Sequence, residues 1–294
     1  MSTRTKLTEV LDKVAEVPFD DGSRLILLGD LHRGTNNWAD DSSQNQTLVF
    51  YALMHYYENG FTYIEVGDGD ELLENRNFAE IKRAHSHIYW LMSKFHAEGR
   101  LYLLFGNHNM QWRNSDAARK ELSEYYDEVA REPRPLFPDI SVHEGLLLHH
   151  TETDRRLFVV HGHQGDLLSD TLWWLGRWIV RFVWTPLQLL GVRDITSPAQ
   201  NFTKRNRVER RIVAWVAENE QPLIAGHTHR PVFPDDHAPP YYNVGSGVHP
   251  RCITGMEIDA GEIRLIKWSF KPDEEGTLRV TRETLEGPRN IGDI

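Results

Sequence analysis

Asp, Asn and His recur in this chain directly after short apolar runs. They are the side chains that bind borderline divalent metals. Five blocks carry the pattern: Leu25-Ile26-Leu27-Leu28-Gly29-Asp30-Leu31-His32, Tyr63-Ile64-Glu65-Val66-Gly67-Asp68, Leu103-Leu104-Phe105-Gly106-Asn107-His108, Phe158-Val159-Val160-His161-Gly162-His163 and Leu223-Ile224-Ala225-Gly226-His227-Thr228-His229. Asp30 and His32 stand two apart and can reach one ion. Asp68 has two carboxylate oxygens and can bridge two ions. Asn107 offers an amide oxygen, and His161, His227 and His229 offer imidazoles. Mixed oxygen and nitrogen ligation of this kind suits Mn, Fe, Zn, Co or Ni better than Ca or a thiophilic ion. Two ions roughly 3.5–4 Å apart can clamp the oxygens of an in-line phosphoryl displacement and lower the pKa of a bound water. A hydroxide between them would be the nucleophile. His108 is placed to protonate the leaving oxygen or to stabilise the charge that develops there.

Each block alone has a plainer explanation. Gly-Asp pairs are common at turns, and a single histidine is more often structural than a ligand. The weight lies in five blocks, each after an apolar run.

Short apolar runs suit buried parallel strands, and glycine lets the chain turn sharply as a strand ends. In an open α/β sheet the carboxyl ends of the strands form the ligand crevice. The intervals Asp30 to Asp68 and Asp68 to Asn107 are 38 and 39 residues, which suits βαβ crossovers. Apolar spacing predicts helices over 5–17, 43–58, 76–97 and 115–130. Beyond Pro135 the texture turns to strands, over 141–150, 156–161, 241–247, 252–258 and 262–270. An αβα first half and a β-rich second half suggest two sheets packed face to face with helices outside.

The chain has 294 residues and carries 33 basic against 43 acidic side chains, a net charge of −10. That balance is poor for general nucleic-acid binding. One cysteine, Cys252, excludes an internal disulfide framework and a thiolate zinc site. No apolar core follows Met1, so no secretory signal is visible and a cytoplasmic location is expected.

Residues 171–192 stand apart. Trp173, Trp174, Trp178 and Trp184 lie among Leu, Ile, Val and Phe, with Arg177, Arg181 and Pro186 interrupting. The interruptions argue against a membrane-spanning helix. A buried core helix, a lid over an apolar substrate and a helix at a bilayer surface all remain open, as does a subunit contact. The basic run that follows includes Lys204, Arg205, Arg207, Arg210 and Arg211. It is either a solvated face or a place for substrate phosphate, with Lys204 and Arg207 as candidate contacts. Arg33 and Arg230 directly follow ligand residues; each is either a further candidate, because an arginine fork matches phosphate oxygens, or the partner of an acidic neighbour.

The five blocks, in their order, resemble those of the calcineurin-like metallophosphoesterases over about residues 24–250. The resemblance implies a single domain over 1–294 with the fold of an α/β protein, a four-layer α/β/β/α sandwich of two mixed sheets, with 171–211 as a helical cap or insert. It also implies a dinuclear centre. One ion would take Asp30, His32, Asp68 and His229, the other Asp68, Asn107, His161 and His227. His108 would be the catalytic histidine. His163 is the second choice to His161. Two divalent ions are expected, Mn foremost, with Fe or Zn as alternatives.

Two departures stand out. Asn109 follows Gly106-Asn107-His108 where the family commonly has an acid, which removes a carboxylate that could orient His108. The Gly-Asp-x-x-Asp form becomes Gly67-Asp68-Gly69-Asp70-Glu71, which keeps an acid at the end; Asp70 and Glu71 either support the ligands from behind or, the favoured reading, lie on a loop turned to solvent. The apolar, basic-flanked insert before Gly226-His227-Thr228-His229 is similar in position to the cap of UDP-2,3-diacylglucosamine pyrophosphatases. The implied activity is hydrolysis of a phosphodiester, pyrophosphate or phosphomonoester on a phosphorylated small molecule. A lipid-linked pyrophosphatase, a peripheral membrane protein docked through 171–192 and a non-catalytic scaffold are the competing readings.

Overall fold

A computed structural model of the chain describes residues 2–37, 40–127, 129–164 and 202–294, with side chains in the last stretch described from 206 onward. The tryptophan-rich insert 171–192, most of the cap 171–211, and the side chains of Lys204 and Arg205 lie outside the described residues.

Leu25–Leu28 forms β2, Thr62–Val66 forms β3 and Leu101–Leu104 forms β4, all parallel neighbours in one sheet. Alternation along β2 shows how the layers are built. Leu25 and Leu27 face one apolar cluster, and Ile26 and Leu28 face another. The same split occurs in β9 (Arg155–Val160), where Leu157 and Val159 face inward while Phe158 and Val160 face out.

Two large sheets result. The seven-stranded sheet has the order β14-β13-β12-β2-β3-β4-β7, where β7 is Val142–His143, β12 is Cys252–Asp259, β13 is Glu262–Pro272 and β14 is Leu278–Asn290. The five-stranded sheet has the order β1-β8-β9-β10-β11, where β1 is Ala15–Phe19, β8 is Gly145–His150, β10 is Leu223–Ala225 and β11 is Tyr241–Asn243. Both sheets are mixed, with parallel and antiparallel pairs.

One apolar cluster fills the space between the sheets. A second packs α2 (Gln46–Glu58), α3 (Phe78–Ala84) and α4 (Ser86–Ala97) on the outer face of the larger sheet. A third packs α1 (Thr3–Leu11) and the helix Phe202–Asn219 on the outer face of the smaller one, through Leu7, Val10, Ile212, Trp215 and Val216. The fold is therefore the expected α/β sandwich of four layers. Among the described residues no helix is long and apolar enough to cross a membrane.

Three helix expectations need correction. The one over 5–17 ends at Leu11, and residues 15–19 are edge strand β1. Pro18 is tolerated there because an edge leaves one side of the ladder unpaired. The one over 76–97 breaks at His85, whose ring is buried with Nε2 3.4 Å from both Ser42 Oγ and Asp40 Oδ2. The one over 115–130 stops after α5 (Ser115–Glu121); β5 (Glu124–Asp127) then pairs with β6 (Glu132–Pro135) as a hairpin.

Candidate metal centre

The carboxyl ends of β2, β3 and β4 meet those of β9 and β10 at one rim. The seven-stranded sheet delivers Asp30, His32, Asp68, Asn107 and His108, and the five-stranded sheet delivers His161, His227 and His229. The loops are tied together as they leave the strands. Asp30 N–H donates to Gly67 O at 3.1 Å and His32 N–H to Asp68 O at 2.9 Å. Across the sheets, His227 N–H donates to Asp30 Oδ2 at 2.8 Å and His161 Nδ1 donates to Val66 O at 2.9 Å.

Of four groups of potential ligand atoms among the described residues, each within 4.8 Å, two join the expected ligands: Asp30, His32 and His229, and Asp68, His161 and His227. In the first, Asp30 Oδ1 lies 3.1 Å from His229 Nε2, and His32 Nε2 lies 3.2 Å from His229 Nε2. In the second, His161 Nε2 lies 2.9 Å from Asp68 Oδ2 and 3.2 Å from Asn107 Oδ1.

The fit to metal ions can be tested atom by atom. Asp30 Oδ1 is buried and accepts no hydrogen bond, an arrangement that costs free energy unless a cation completes it. His32 Nδ1 faces Glu71 Oε2 at 2.7 Å, so the proton belongs on Nδ1 and the lone pair on Nε2 faces the group. His161 is set the same way by Val66 O. A second partner that fixes the ring and its tautomer is the usual support of a metal-binding histidine. The donor set of carboxylate, amide and imidazole suits a borderline divalent ion.

The backbone is strained where the ligands sit. Asp30, His32, Asp68, His227 and His229 all have left-handed φ, between 47° and 67°. Non-glycine residues avoid this region, and such strain clusters at functional sites. Close approach adds a further constraint: a Cβ at Gly106 would lie 2.2 Å from Asp68 Oδ1.

Charges within the cluster reinforce one another. Burial pushes the Asp68 carboxyl upward, but His161 and His108 hold it well below its usual range. Burial likewise opposes ionisation of Glu71, and His108 and His32 outweigh it, bringing the group to about 2. Burial disfavours a charged His161, yet Asp68 and Asp30 raise it to about 9. His163 shows the opposite balance. It is fully buried, neither ring nitrogen has a hydrogen-bond partner, and burial together with nearby His161 and His227 keeps it neutral. His161, not His163, is the histidine that joins the ligand group.

Of the two readings of Asp70 and Glu71, the favoured solvent-facing loop needs correction: both are buried, and Glu71 stands behind the ligands. Glu71 Oε2 accepts from His32 Nδ1 and from His108 Nδ1, at 2.7 and 2.6 Å. The carboxylate missing at Asn109 is thus supplied from the β3 loop. Asn109 instead accepts from Gly106 N–H through Oδ1 at 2.6 Å, which shapes the turn. The signal in the sequence was the acid that closes Gly67-Asp68-Gly69-Asp70-Glu71.

The arginine expectations fare differently. Arg33 is buried, and its guanidinium is bound to Glu65 and Asp70, so it does not reach out to a substrate phosphate. Arg230 is half exposed and held by Glu209, which also accepts from Thr228 Oγ1. Arg207 is exposed on the helix Phe202–Asn219. His249 donates from Nε2 to His229 O at 2.6 Å and so supports a ligand loop.

Comparison with known proteins places this arrangement. No curated protein matches the sequence. Among solved structures, Vps29 from Chaetomium thermophilum is 12% identical over 90% of this chain and 96% of that one, with a TM-score of 0.39. A protein assigned as a 5'-nucleotidase from Staphylococcus aureus, solved with alpha-ketoglutarate, is 14% identical over 89% of this chain and 53% of that one, with a TM-score of 0.36. The family comparison is of another kind, since calcineurin-like phosphoesterase matches residues 23–231 and takes in every ligand block. By that match the chain belongs to the calcineurin-like phosphoesterase family.

Proposed function

We propose that this protein hydrolyses phosphoester or phosphoanhydride bonds with two divalent ions, Mn foremost. Asp30, His32, Asp68 and His229 would hold one, and Asp68, Asn107, His161 and His227 the other. Bound there, the ions would activate a water and polarise the phosphoryl oxygens. The remaining work falls to the chain. Asp68 stays ionised as the carboxylate proposed to bridge the two ions. Glu71 accepts from His108 Nδ1–H; acting as the imidazolium, His108 would give its Nε2 proton to the leaving oxygen and end as the neutral ring with Nδ1–H still on Glu71. The observation that carries this reading is the convergence of Asp30 Oδ1, His32 Nε2 and His229 Nε2, with the oxygen buried and accepting no hydrogen bond.

The substrate we propose is a phosphorylated small molecule, with a lipid-linked pyrophosphate as the variant that the insert 171–211 motivates. The test is hydrolysis of bis-p-nitrophenyl phosphate, p-nitrophenyl phosphate and a UDP-linked diacyl sugar, after metal stripping and reconstitution with Mn²⁺. Metal-dependent turnover is expected, and the preferred compound separates diesterase, monoesterase and lipid pyrophosphatase. Two bound ions per chain with no turnover of any compound would favour the scaffold.

A further inference from the structure

Behind the candidate centre lies a closed ionic network that the hydrolytic reading does not use. Arg33 donates from Nη1 and Nη2 to the two oxygens of Glu65 at 2.7 and 2.9 Å, and from Nε to Asp70 Oδ1 at 2.9 Å. Tyr63 Oη donates to Glu65 Oε2 at 2.8 Å and Tyr89 Oη to Asp70 Oδ1 at 2.5 Å. Arg33, Glu65, Asp70, Tyr63 and Tyr89 are all buried. Gly69 makes room, since a Cβ there would lie 1.9 Å from Glu65 Oε1.

Stability alone does not account for it. Replacing a buried ion pair by apolar residues of similar volume is often neutral or stabilising, because desolvation offsets the Coulomb gain. What apolar packing cannot do is fix a direction. Each end of this network adjoins a functional residue: Arg33 follows His32, and Asp70 precedes Glu71. The backbone repeats the tie, with Arg33 N–H donating to Gly69 O at 2.8 Å and Glu71 N–H to Arg33 O at 2.9 Å. The β2 loop and the β3 loop are thus locked in register at the point where Glu71 must reach both His32 and His108.

We propose that Arg33, through Glu65 and Asp70, is a positioning residue for Glu71, and by way of Glu71 for His32 and His108. This rests on the reading of the centre as a metal site. The Arg33 guanidinium is taken up by Glu65 and Asp70, so its action on the ligands runs through Glu71. Its guanidinium fork is needed because a lysine ammonium cannot match the Glu65 carboxylate and reach Asp70 at once.

The test compares the parent with Arg33→Lys, Asp70→Asn, Glu71→Gln and the double variant Asp70→Asn/Glu71→Gln. Mn²⁺ binding is measured by calorimetry, turnover on bis-p-nitrophenyl phosphate, and folding by thermal unfolding of the metal-free proteins. Arg33→Lys and Asp70→Asn are expected to weaken one ion by about tenfold, the one at Asp30, His32 and His229, while the other binds as in the parent. The double variant is expected to lose no more turnover or affinity than Glu71→Gln alone. Parent-like Mn²⁺ binding in both folded single variants, equal weakening of both ions, or additive losses in the double variant would overturn the proposal. If Arg33→Lys fails to fold, Asp70→Asn decides. A parent that binds two Mn²⁺ but turns nothing over defeats the hydrolase reading, and the pattern of Mn²⁺ affinities still tests the positioning role.

Discussion

Glu71 Oε2 stands 2.6 Å from His108 Nδ1, so the candidate acid is anchored by a residue 37 positions away and not by its neighbour Asn109. The same oxygen holds His32 at 2.7 Å. Glu71→Gln should therefore act on both rings. Turnover is expected to fall about 100-fold, with KM changed less. Steady-state kinetics on p-nitrophenyl and phenyl phosphate give the check. The loss should be larger for the phenyl ester, whose leaving group needs the proton more. Equal losses on both would remove His108 from the role of acid.

Asp68 belongs to the group with His161 and His227, with Oδ2 on His161 and Oδ1 accepting from His108 N–H, and is the carboxylate proposed to bridge the two ions. Asp68→Ala is expected to abolish turnover and to reduce bound Mn²⁺ below two per chain by elemental analysis. Undiminished activity would sink the dinuclear mechanism.

His161 and His163 are separated by one residue but face different surroundings. His161→Ala should lose an ion. His163→Leu should keep two and unfold at the same temperature or higher, because it removes two buried ring nitrogens that have no partner. Loss of an ion from His163→Leu would reverse the assignment.

Gly106→Ala brings a methyl to 2.2 Å from Asp68 Oδ1. The expected result is a folded protein with weakened Mn²⁺ binding and turnover lowered at least tenfold. Circular dichroism and calorimetry on the same sample separate this from unfolding.

Asp40 gives a pH prediction away from the ligands. Burial pushes its carboxyl upward, but hydrogen bonds from His85, the Asn36 N–H and Ser42 outweigh this and set it below its ordinary value. A depressed folded pKa means that the unfolded chain binds the proton more readily. The stabilisation is therefore complete above about pH 4 and is lost as pH falls through the lower folded value. Asp40→Asn should cost about 1–3 kcal/mol at neutral pH, and the gap from the parent should narrow between pH 4 and 2. Thermal unfolding across that range is the measurement, and a gap that stays constant would contradict it.

Much of the centre was legible because it is built from local pattern. Apolar runs with period-two alternation mark the strands, glycine marks their ends, and the ligand follows. The acids and bases behind the ligands were not legible in this way. The sequence leaves open whether Glu71 supports the ligands and whether Arg33 meets a phosphate or an acid until β2 and β3 are known to be neighbours, and adjacency of strands is a property of the whole sheet. Strand β14 was missed for another reason. It lies at the sheet edge, is mostly exposed and alternates charges instead of apolar residues, being held through pairs such as Arg282 with Glu257 and Lys271 with Glu283. The break at His85 was hidden because its cause, the Asp40–Ser42 loop, lies more than 40 positions upstream.

The candidate ligands run from Asp30 to His229, 199 positions along the chain. At roughly 5–20 residues per second of synthesis, about 10–40 s separate the emergence of the first from that of the last. A nascent chain therefore carries Asp30, His32 and Asp68 long before the imidazoles that complete either group exist. Ion capture must come late, after the second sheet has closed on the first. All three apolar clusters are made of residues that need no ion, so the sandwich can form in its absence. Metal scarcity during synthesis should then leave folded apoprotein awaiting its ions, unlike small zinc domains that fold only when loaded.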